Sequence, residues 1–449
     1  MSALISDPPS VEQLAAPARV WAVWGRIAPC MRRGSPMLSK AASEKVGHFL
    51  DRFDRQHLAL LIAGTALALL LRISLLDFKS NDFLDDGRAW YYQIQVLGFR
   101  AFGHDLSNAN LPYLYLLYLI ARFIPHLPNL TAVKLPALVA DFVCATFVYQ
   151  IVRFRRESRS EALLAYMALL LAPAIVLNGS FWGQPDSLCA AAVAVSLFGV
   201  LKKKPWVVTT AYGAALAFGL PAIFLLPFLI SLSLKRRLGW KHWLAVPTVL
   251  VAGVLPAWVA GRPISGLVLS SVVSADYSSA LSTYAPTLYT WVPTAPDAAG
   301  TIFHAGLVFA LLVMAVLVVL MARSRVELSP QLAVQLATLC VVLVPFVTPK
   351  MHERDFLLAD VLSIVLAFYV PSLYHLALVT NMSSLFSYIS SLFSVEYHRR
   401  PFPEAWLAVA MLLVIALTIR HVVQQLYPAL AARGHEETTG GPAATDPEP

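Results

Sequence analysis

Two apolar segments, residues 332–348 and 356–371, enclose the run Pro349-Lys350-Met351-His352-Glu353-Arg354-Asp355. Five of these seven side chains can carry charge, although only 13% of the whole chain is Asp, Glu, Lys or Arg. A membrane protein rarely places so many ionisable groups between two apolar helices unless they have a function. The alternative is a hydrophilic loop that anchors two helix ends. The two interpretations differ in whether other loops with similar residues lie on the same side of the membrane.

The composition of the chain is that of a polytopic membrane protein. Hydrophobic residues make up 58% of the 449 positions, whereas soluble domains contain roughly 45–50% apolar residues. The formal charge is +8, but Lys and Arg occur in short clusters between apolar segments. Such clusters are typical of cytoplasmic loops, and they argue against a nucleic-acid partner.

The apolar segments between residues 57 and 423 predict an all-α bundle of about 11–13 transmembrane helices in a lipid bilayer. Placing the basic clusters in the cytoplasm makes 112–125 an interfacial segment and divides 206–234 into two short helices near Gly219-Leu220-Pro221. Both termini are then cytoplasmic, with residues 1–56 and 424–449 as disordered tails of a membrane domain at 57–423. Only His398-Arg399-Arg400 falls on the wrong side.

In this topology the polar and aromatic loops all face away from the cytoplasm. The first of them, residues 77–111, is a large extracytoplasmic loop with three carboxylates within five positions: Asp82, Asp85 and Asp86. Any of them could deprotonate a hydroxyl, or all could be solvated charges. Trp90 and the tyrosines near it are typical of an amphipathic segment at the membrane interface.

The second loop reads Asn178-Gly179-Ser180-Phe181-Trp182-Gly183-Gln184-Pro185-Asp186-Ser187. Its Trp, amide and carboxylate groups suit a sugar, because an aromatic face packs against C–H groups and amides bind hydroxyls. Asp186 or Ser187 could instead cap a helix. In the third loop, 261–300, Arg262 could bind a phosphate or anchor a helix end. Arg72, Lys134 and Asp141 are polar exceptions within apolar segments.

Together these motifs resemble those of bacterial membrane glycosyltransferases related to GPI mannosyltransferase 2. Residues 178–187 resemble the family's N-S-x-x-W-G-Q-x-D-S, and residues 349–355 resemble its P-K-M-H-E-R-Y. Further matching positions occur in the first and third loops: Ser80, Asp82, Trp90, Asn108, Asn110, Pro112-Tyr113-Leu114-Tyr115, Gly261-Arg262-Pro263 and Ala285-Pro286-x-x-Tyr289.

The resemblance implies a GT-C fold and transfer of a sugar, mannose-like, from a polyprenyl-phosphate donor. The acceptor would be a glycan, lipid or protein outside the cytoplasm, at a bacterial inner membrane. Asp82 would act as the base with inversion, with Asp85 and Asp86 as the next choices, and no cofactor or divalent metal is required. The donor phosphate would meet Arg262, Lys350, His352 and Arg354. The sugar or acceptor would meet Trp90, Asn178, Trp182, Gln184, Asp186 and Tyr289.

The chain departs from the family pattern at Ala109, Gly219, Pro221 and Asp355. The family has Lys at the position of Gly219, so phosphate binding would pass to Arg262, Lys350 and Arg354. Two alternatives therefore stay open: a non-catalytic member of the same fold, and a transporter or lipid flippase. Transporters tend to carry ionisable groups near mid-membrane, whereas the charges and aromatics here gather in loops.

Overall fold

The computed structural model describes residues 55–104, 110–155, 158–263, 280–292, 298–397 and 402–427. The helices of nine residues or more in these ranges are α1 Arg55–Ser74, α2 Arg88–Leu97, α3 Leu111–Phe123, α4 Asn129–Arg155, α5 Arg159–Leu171, α6 Asp186–Leu201, α7 Pro205–Phe218, α8 Leu226–Leu234, α9 Ala245–Val259, α10 Ala299–Arg323, α11 Pro330–Val347, α12 Leu357–Tyr369, α13 Tyr374–Tyr397 and α14 Glu404–Leu426.

Most of the two predicted tails lies outside the described residues, as do Asn108, Ala109 and His398-Arg399-Arg400. Helix α1 begins at Arg55 and α14 ends at Leu426, so both helices extend slightly beyond the predicted membrane domain.

An all-α polytopic architecture is confirmed. Among the described residues, seven helices are long and apolar enough to cross a membrane, or eight if the bent pair Arg159–Leu171 and Pro173–Trp182 counts as one span. This number is below the predicted 11–13. Several apolar helices, including α3 and α6 with 13 and 16 residues, are shorter than the roughly 20 residues that a bilayer requires.

Local sequence explains where several helices begin and end. Ser158 and Ser329 cap α5 and α11, because each hydroxyl accepts the backbone N–H three residues later, at 3.4 and 3.1 Å. The predicted break near Gly219 is confirmed. Helix α7 ends at Phe218, and a 3₁₀ turn, Leu220–Leu225, leads into α8. Pro221 lies in that turn, where its missing N–H costs no helical hydrogen bond.

The bundle has two chemically different ends. Helix α6 starts at Asp186 and finishes before Lys202-Lys203-Lys204, about 24 Å away at 1.5 Å per residue. Helix α11 runs the opposite way, from beside Arg325 to the 349–355 run. We call the end with loops 77–87, 177–186 and 349–356 the motif end, and the end with Arg153, Lys202-Lys203-Lys204, Lys235-Arg236-Arg237 and Arg325 the basic end.

A buried ion pair ties four helices together. Arg72 of α1 donates through Nε to Asp141 Oδ2 of α4 at 3.0 Å, and through Nη1 to the Leu170 carbonyl of α5 at 2.6 Å. Ser187 of α6 donates to Asp141 Oδ1 at 2.5 Å. Both charged side chains are at most 1% exposed. Two of the polar exceptions in the apolar segments, Arg72 and Asp141, are therefore partners of each other.

This geometry predicts that the Arg72→Met variant loses about 3–5 kcal/mol of unfolding free energy, because Asp141 keeps a buried charge without a cation. The double variant Arg72→Met with Asp141→Asn should lose less, since the amide is neutral and can still accept from Ser187. Unfolding in detergent, followed by helicity, measures both. A double variant at least as unstable as Arg72→Met would contradict the pairing.

Candidate active site

The loop before α6 folds tightly enough to present Trp182 and Gln184 to the same neighbour. Residues Leu177–Trp182 form a π turn, and the Asn178 carbonyl accepts the N–H groups of Gly183 and Gln184 at 3.1 and 3.0 Å. Gly183 has a φ of +92°, which favours glycine. A Cβ at this position would lie only 3.0 Å from Lys134 Cγ. The turn therefore needs glycine for two independent reasons.

Asp82 receives two side-chain hydrogen bonds from this turn. The indole Nε1 of Trp182 donates to Asp82 Oδ2 at 3.0 Å, and Gln184 Nε2 donates to the same oxygen. Ser80 strengthens the contact between the loops, since its hydroxyl donates to the Trp182 carbonyl at 2.8 Å. The Asp82 side chain itself is exposed. One oxygen is thus held by the protein, while the carboxylate remains open to a ligand.

Arg354 joins the cluster from the fourth loop. Its Nη1 donates to Gln184 Oε1 at 2.9 Å, so the Gln184 amide bridges Arg354 and Asp82. The loop is rigid at this point, because the Asp355 carboxylate accepts the His352 N–H at 2.7 Å and starts the turn Glu353–Phe356. Asp355, which departs from the family pattern, therefore holds the turn that carries Arg354.

A short parallel pairing connects the third and fourth loops. Strand β1, Ser282–Thr283, pairs with β2, Met351–His352, in the register Ser282 to Met351 and Thr283 to His352. The Lys350 N–H adds a bond to the Leu281 carbonyl at 2.7 Å. These backbone bonds fix the start of the loop from which Arg354 reaches Gln184.

Lys134 holds the first two loops against each other. Its ammonium donates to the carbonyls of Phe78, Ser180 and Phe181 at 2.8, 3.0 and 2.7 Å, and the side chain is fully buried. Phe78 and Phe181 also stack, with ring centroids 3.8 Å apart. Lys134 therefore places Asp82 and Trp182 in register. The sequence showed it as a charged residue in an apolar segment but gave no sign that its partners are backbone carbonyls.

Helix α13 closes the inner side of the cluster. The buried Tyr388 ring meets Trp182 edge-on, with centroids 5.7 Å apart. Asn178 Nδ2 donates to Asp186 Oδ2 at 3.2 Å, and Asp186 interacts electrostatically with Arg354, Asp355 and Asp82. Asn178 and Asp186 thus lie in the second layer of this cluster. The sequence analysis did not identify Tyr388, because a tyrosine in an apolar helix carries no functional signal of its own.

Three other predicted residues have contacts outside the hydrogen-bonded chain. Arg262 is buried after α9, where its charge acts on Tyr115, and the Lys350 ammonium lies over the Phe303 ring at 5.4 Å. Trp90 packs against a second apolar cluster around Tyr91 and Tyr113.

Tyr289 has a structural role that the sequence analysis did not predict. It is buried, its ring lies against Gly306, and its hydroxyl donates to the Val347 carbonyl at 3.0 Å. That hydroxyl is therefore already used within the protein, so the predicted contact with a sugar finds no support in the geometry.

Several carboxyl groups in the loops of the motif end have raised pKa values. Burial raises the pKa of Glu353 to about 7, although a hydrogen bond to Ser391 and the charge of Arg354 act in the opposite direction. Burial also raises the pKa of Asp355. The pKa of Asp86 is raised by burial and then by the charges of Asp82 and Asp85. Asp85 is exposed and, like Asp86, precedes α2.

The described residues contain no group of three or more His, Cys, Asp or Glu side chains arranged to hold a metal ion. The groups that the structure brings together are one exposed carboxylate, an indole, an amide and a guanidinium. Such a set can bind hydroxyls and an anion and can accept a proton.

No family model and no curated protein matches this chain. The geometry of the site is therefore the basis of the proposal below.

Replacing Lys134 with Met should weaken the contact between the first two loops. Three buried carbonyls lose their donor, at a cost of about 3 kcal/mol or more in unfolding free energy. Amide hydrogen exchange should rise in residues 78–84 and 180–184. The exposed Lys79 of the same loop provides the matched control Lys79→Met, for which neither quantity should change. Unaltered exchange in Lys134→Met would show that the ammonium does not hold the loops.

Glu353 should make stability depend on pH. The folded protein keeps this carboxyl protonated up to about pH 7, whereas an unfolded glutamate ionises near pH 4.3. The folded state therefore binds the extra proton in this window, and stability falls as pH rises through it, by about 4 kcal/mol at most. The stability of Glu353→Gln relative to wild type should therefore rise by about 2.5 kcal/mol between pH 5 and pH 8. In the control variant Glu327→Gln, at an exposed position, the difference in stability from wild type should be the same at both pH values.

Proposed function

We propose that the protein is a membrane glycosyltransferase of GT-C type. It would move a sugar, mannose-like, from a polyprenyl-phosphate donor to a hydroxyl group of a glycan, lipid or protein. One observation supports the proposal above all. Asp82, Trp182, Gln184 and Arg354 come from three loops, and they form one hydrogen-bonded chain at the motif end whose bonds join residues 100 to 170 positions apart in sequence.

The reaction needs a base, and Asp82 has the geometry of one. Oδ2 is occupied by the donors from Trp182 and Gln184, which fix the carboxylate plane and leave Oδ1 for a substrate hydroxyl. As the acceptor O–H bond breaks, its proton passes to Asp82 and the oxygen forms a bond to the anomeric carbon. The bond from that carbon to the phosphate oxygen breaks with its electron pair, so polyprenyl phosphate leaves and the configuration inverts.

The leaving phosphate needs a cation, and Arg354 is the cation closest to Asp82 along the hydrogen-bonded chain. A guanidinium donates to two phosphate oxygens at once, and only its Nη1 is used by Gln184. Electrostatic stabilisation of this kind needs no metal ion. Gly219, at the position of the family's Lys, lies beside Cys189, one helical turn after Asp186. Arg354 would therefore bind the donor phosphate without a Lys at that position.

Trp182 and Gln184 would act as positioning residues for the base. Trp182 is 7% exposed and its ring packs against Tyr388, so little of the ring is open to a ligand. Its indole N–H donates to Asp82. In this proposal the motif end faces outwards from a bacterial inner membrane. The basic end and both termini face the cytoplasm, as the distribution of Lys and Arg favours. The short helices would complete the predicted 11–13 crossings in pairs.

A transporter or lipid flippase is the second candidate, and one observation favours it. Asp360 of α12 and Asn381, Ser384 and Ser387 of α13 are buried polar residues inside the bundle. Ser384 donates to Asp360 Oδ1 at 2.8 Å, while Asp360 Oδ2 has no partner. Ionisable groups inside membrane helices are typical of transport pathways. The motif-end cluster has no evident use in that case.

Asp82→Asn should abolish sugar transfer, with a rate loss of about 10²–10⁴-fold, because the amide cannot take the proton. The amide oxygen can still accept from Trp182, so the variant should fold. Membranes containing the chain are incubated with a labelled polyprenyl-phosphate sugar, and labelled product is measured. Asp85→Asn, an exposed carboxylate three residues away, is the matched control and should keep its activity.

The same assay separates the alternatives. Loss of transfer in Asp85→Asn but not in Asp82→Asn would move the base to Asp85. Movement of labelled donor across the membrane without product formation, sensitive to Asp360→Asn, would favour the flippase.

A further inference from the structure

Two helices reach the basic end in the same way, and each finishes in three cations. Helix α6 is followed by Lys202-Lys203-Lys204, and α8 by Lys235-Arg236-Arg237. The N–H of Lys204 bonds to the Gly199 carbonyl and that of Lys203 to the Val200 carbonyl, at 2.9 and 3.1 Å. The corresponding bonds after α8, from Arg237 to Leu232 and from Arg236 to Ser233, are 2.9 and 3.0 Å. Both ends are Schellman motifs.

The middle cation of each triplet occupies a strained backbone position. Lys203 has a φ of +53° and Arg236 a φ of +58°. This position of a Schellman motif normally holds glycine, because a side chain is disfavoured in the left-handed region. Strain retained in two equivalent turns points to a use for the side chains rather than for the turns themselves.

In each triplet the first cation contacts another part of the protein, and the second and third cations face the solvent. The first cation of each turn is used internally: Lys202 lies over the Phe154 ring at 4.8 Å, and Lys235 donates to the Val326 carbonyl at 3.2 Å. The second and third cations are exposed in both turns. Favourable interaction with the helix dipole is thus supplied by the first cation and does not account for the others.

Aromatic side chains bring the two turns together and face outward beside them. The Trp206 ring meets His242 at 4.8 Å between centroids, which places the first turn of α7, directly after Lys204, against the segment that follows Arg237. Trp206 and Trp240 are 53% and 59% exposed. Exposed indoles beside cations are typical of the interface where lipid headgroups begin. The sequence has no Asp or Glu between Asp186 and Asp276, so this segment supplies no carboxylate to neutralise the turns.

We propose that Lys203, Lys204, Arg236 and Arg237 form a binding site for the phosphate headgroups of anionic phospholipids, with Trp206 and Trp240 at its rim. Clustered cations next to membrane helices attract anionic lipid, and charge complementarity selects this occupant over neutral lipid. The site lies at the opposite end of α6 from Asp82 and does not depend on the proposed function.

The strained positions give an unusually clean test. The double variant Lys203→Gly with Arg236→Gly removes two cations and relieves the backbone, so its melting temperature in a neutral detergent should be no lower than that of wild type. Binding of phosphatidylglycerol or cardiolipin should become about 25-fold weaker, as expected for two lost cations near a membrane surface. Native mass spectrometry of the purified full chain with added lipid measures both the number and the strength of bound lipids.

Two further variants complete the design. Arg88→Gln with Arg100→Gln removes the same charge from exposed positions outside the basic end and should change lipid binding much less. Lys204→Gln with Arg237→Gln should weaken binding like the glycine pair, without depending on how the strained positions respond.

The following results would overturn the site. The control pair could lose as much lipid binding as the glycine pair, or wild type could bind phosphatidylcholine as tightly as anionic lipid. If inorganic phosphate bound to wild type as tightly as anionic lipid does, the site would be one for free phosphate instead. Retention of an acidic protein but not of anionic lipid would assign the surface to a protein partner.

Discussion

The motif end depends on one buried ammonium group. Lys134 donates hydrogen bonds to three backbone carbonyls, one in the loop before Asp82 and two in the turn before Trp182. A buried charge is tolerated in a membrane helix only when its partners are complete. The two loops are thereby held at a fixed separation, and the contact between Trp182 and Asp82 follows from it.

The rest of the bundle supports that separation. Arg72 and Asp141 join α1 to α4, while Ser187 ties α6 to the same carboxylate. Helix α4 therefore carries two buried charges on one side, Lys134 near its start and Asp141 two turns later. Each binds a different part of the segment 170–187. Polar contacts inside a bilayer are few, so these two positions decide how the motif turn sits on the bundle, and apolar packing fills the remaining space.

Sequence patterns predicted the helices well and the contacts between them only in part. Apolar segments located α1 and α4, and Gly219 with Pro221 located the break between α7 and α8, because hydropathy and backbone restrictions act locally. The predicted number of crossings exceeds the seven or eight long apolar spans among the described residues, since apolar helices such as α6, with 16 residues, are shorter than an ordinary span. Backbone acceptors carry no residue signature, so the partners of Lys134 could not be predicted. Tyr289 looked like a ligand-binding aromatic, yet its hydroxyl serves the Val347 carbonyl.

The arrangement around Asp82 fixes its orientation. Two N–H donors on one carboxylate oxygen restrict rotation of the carboxylate, so Oδ1 keeps one direction, and a group held in one orientation gains reactivity through geometry alone. Gln184 contributes at both ends, because its N–H reaches Asp82 while its carbonyl oxygen holds Arg354. One neutral amide therefore sets the distance between the Asp82 carboxylate and the Arg354 guanidinium. In the proposed function these two groups are the proton acceptor and the cation that binds the leaving phosphate, on opposite sides of the anomeric carbon.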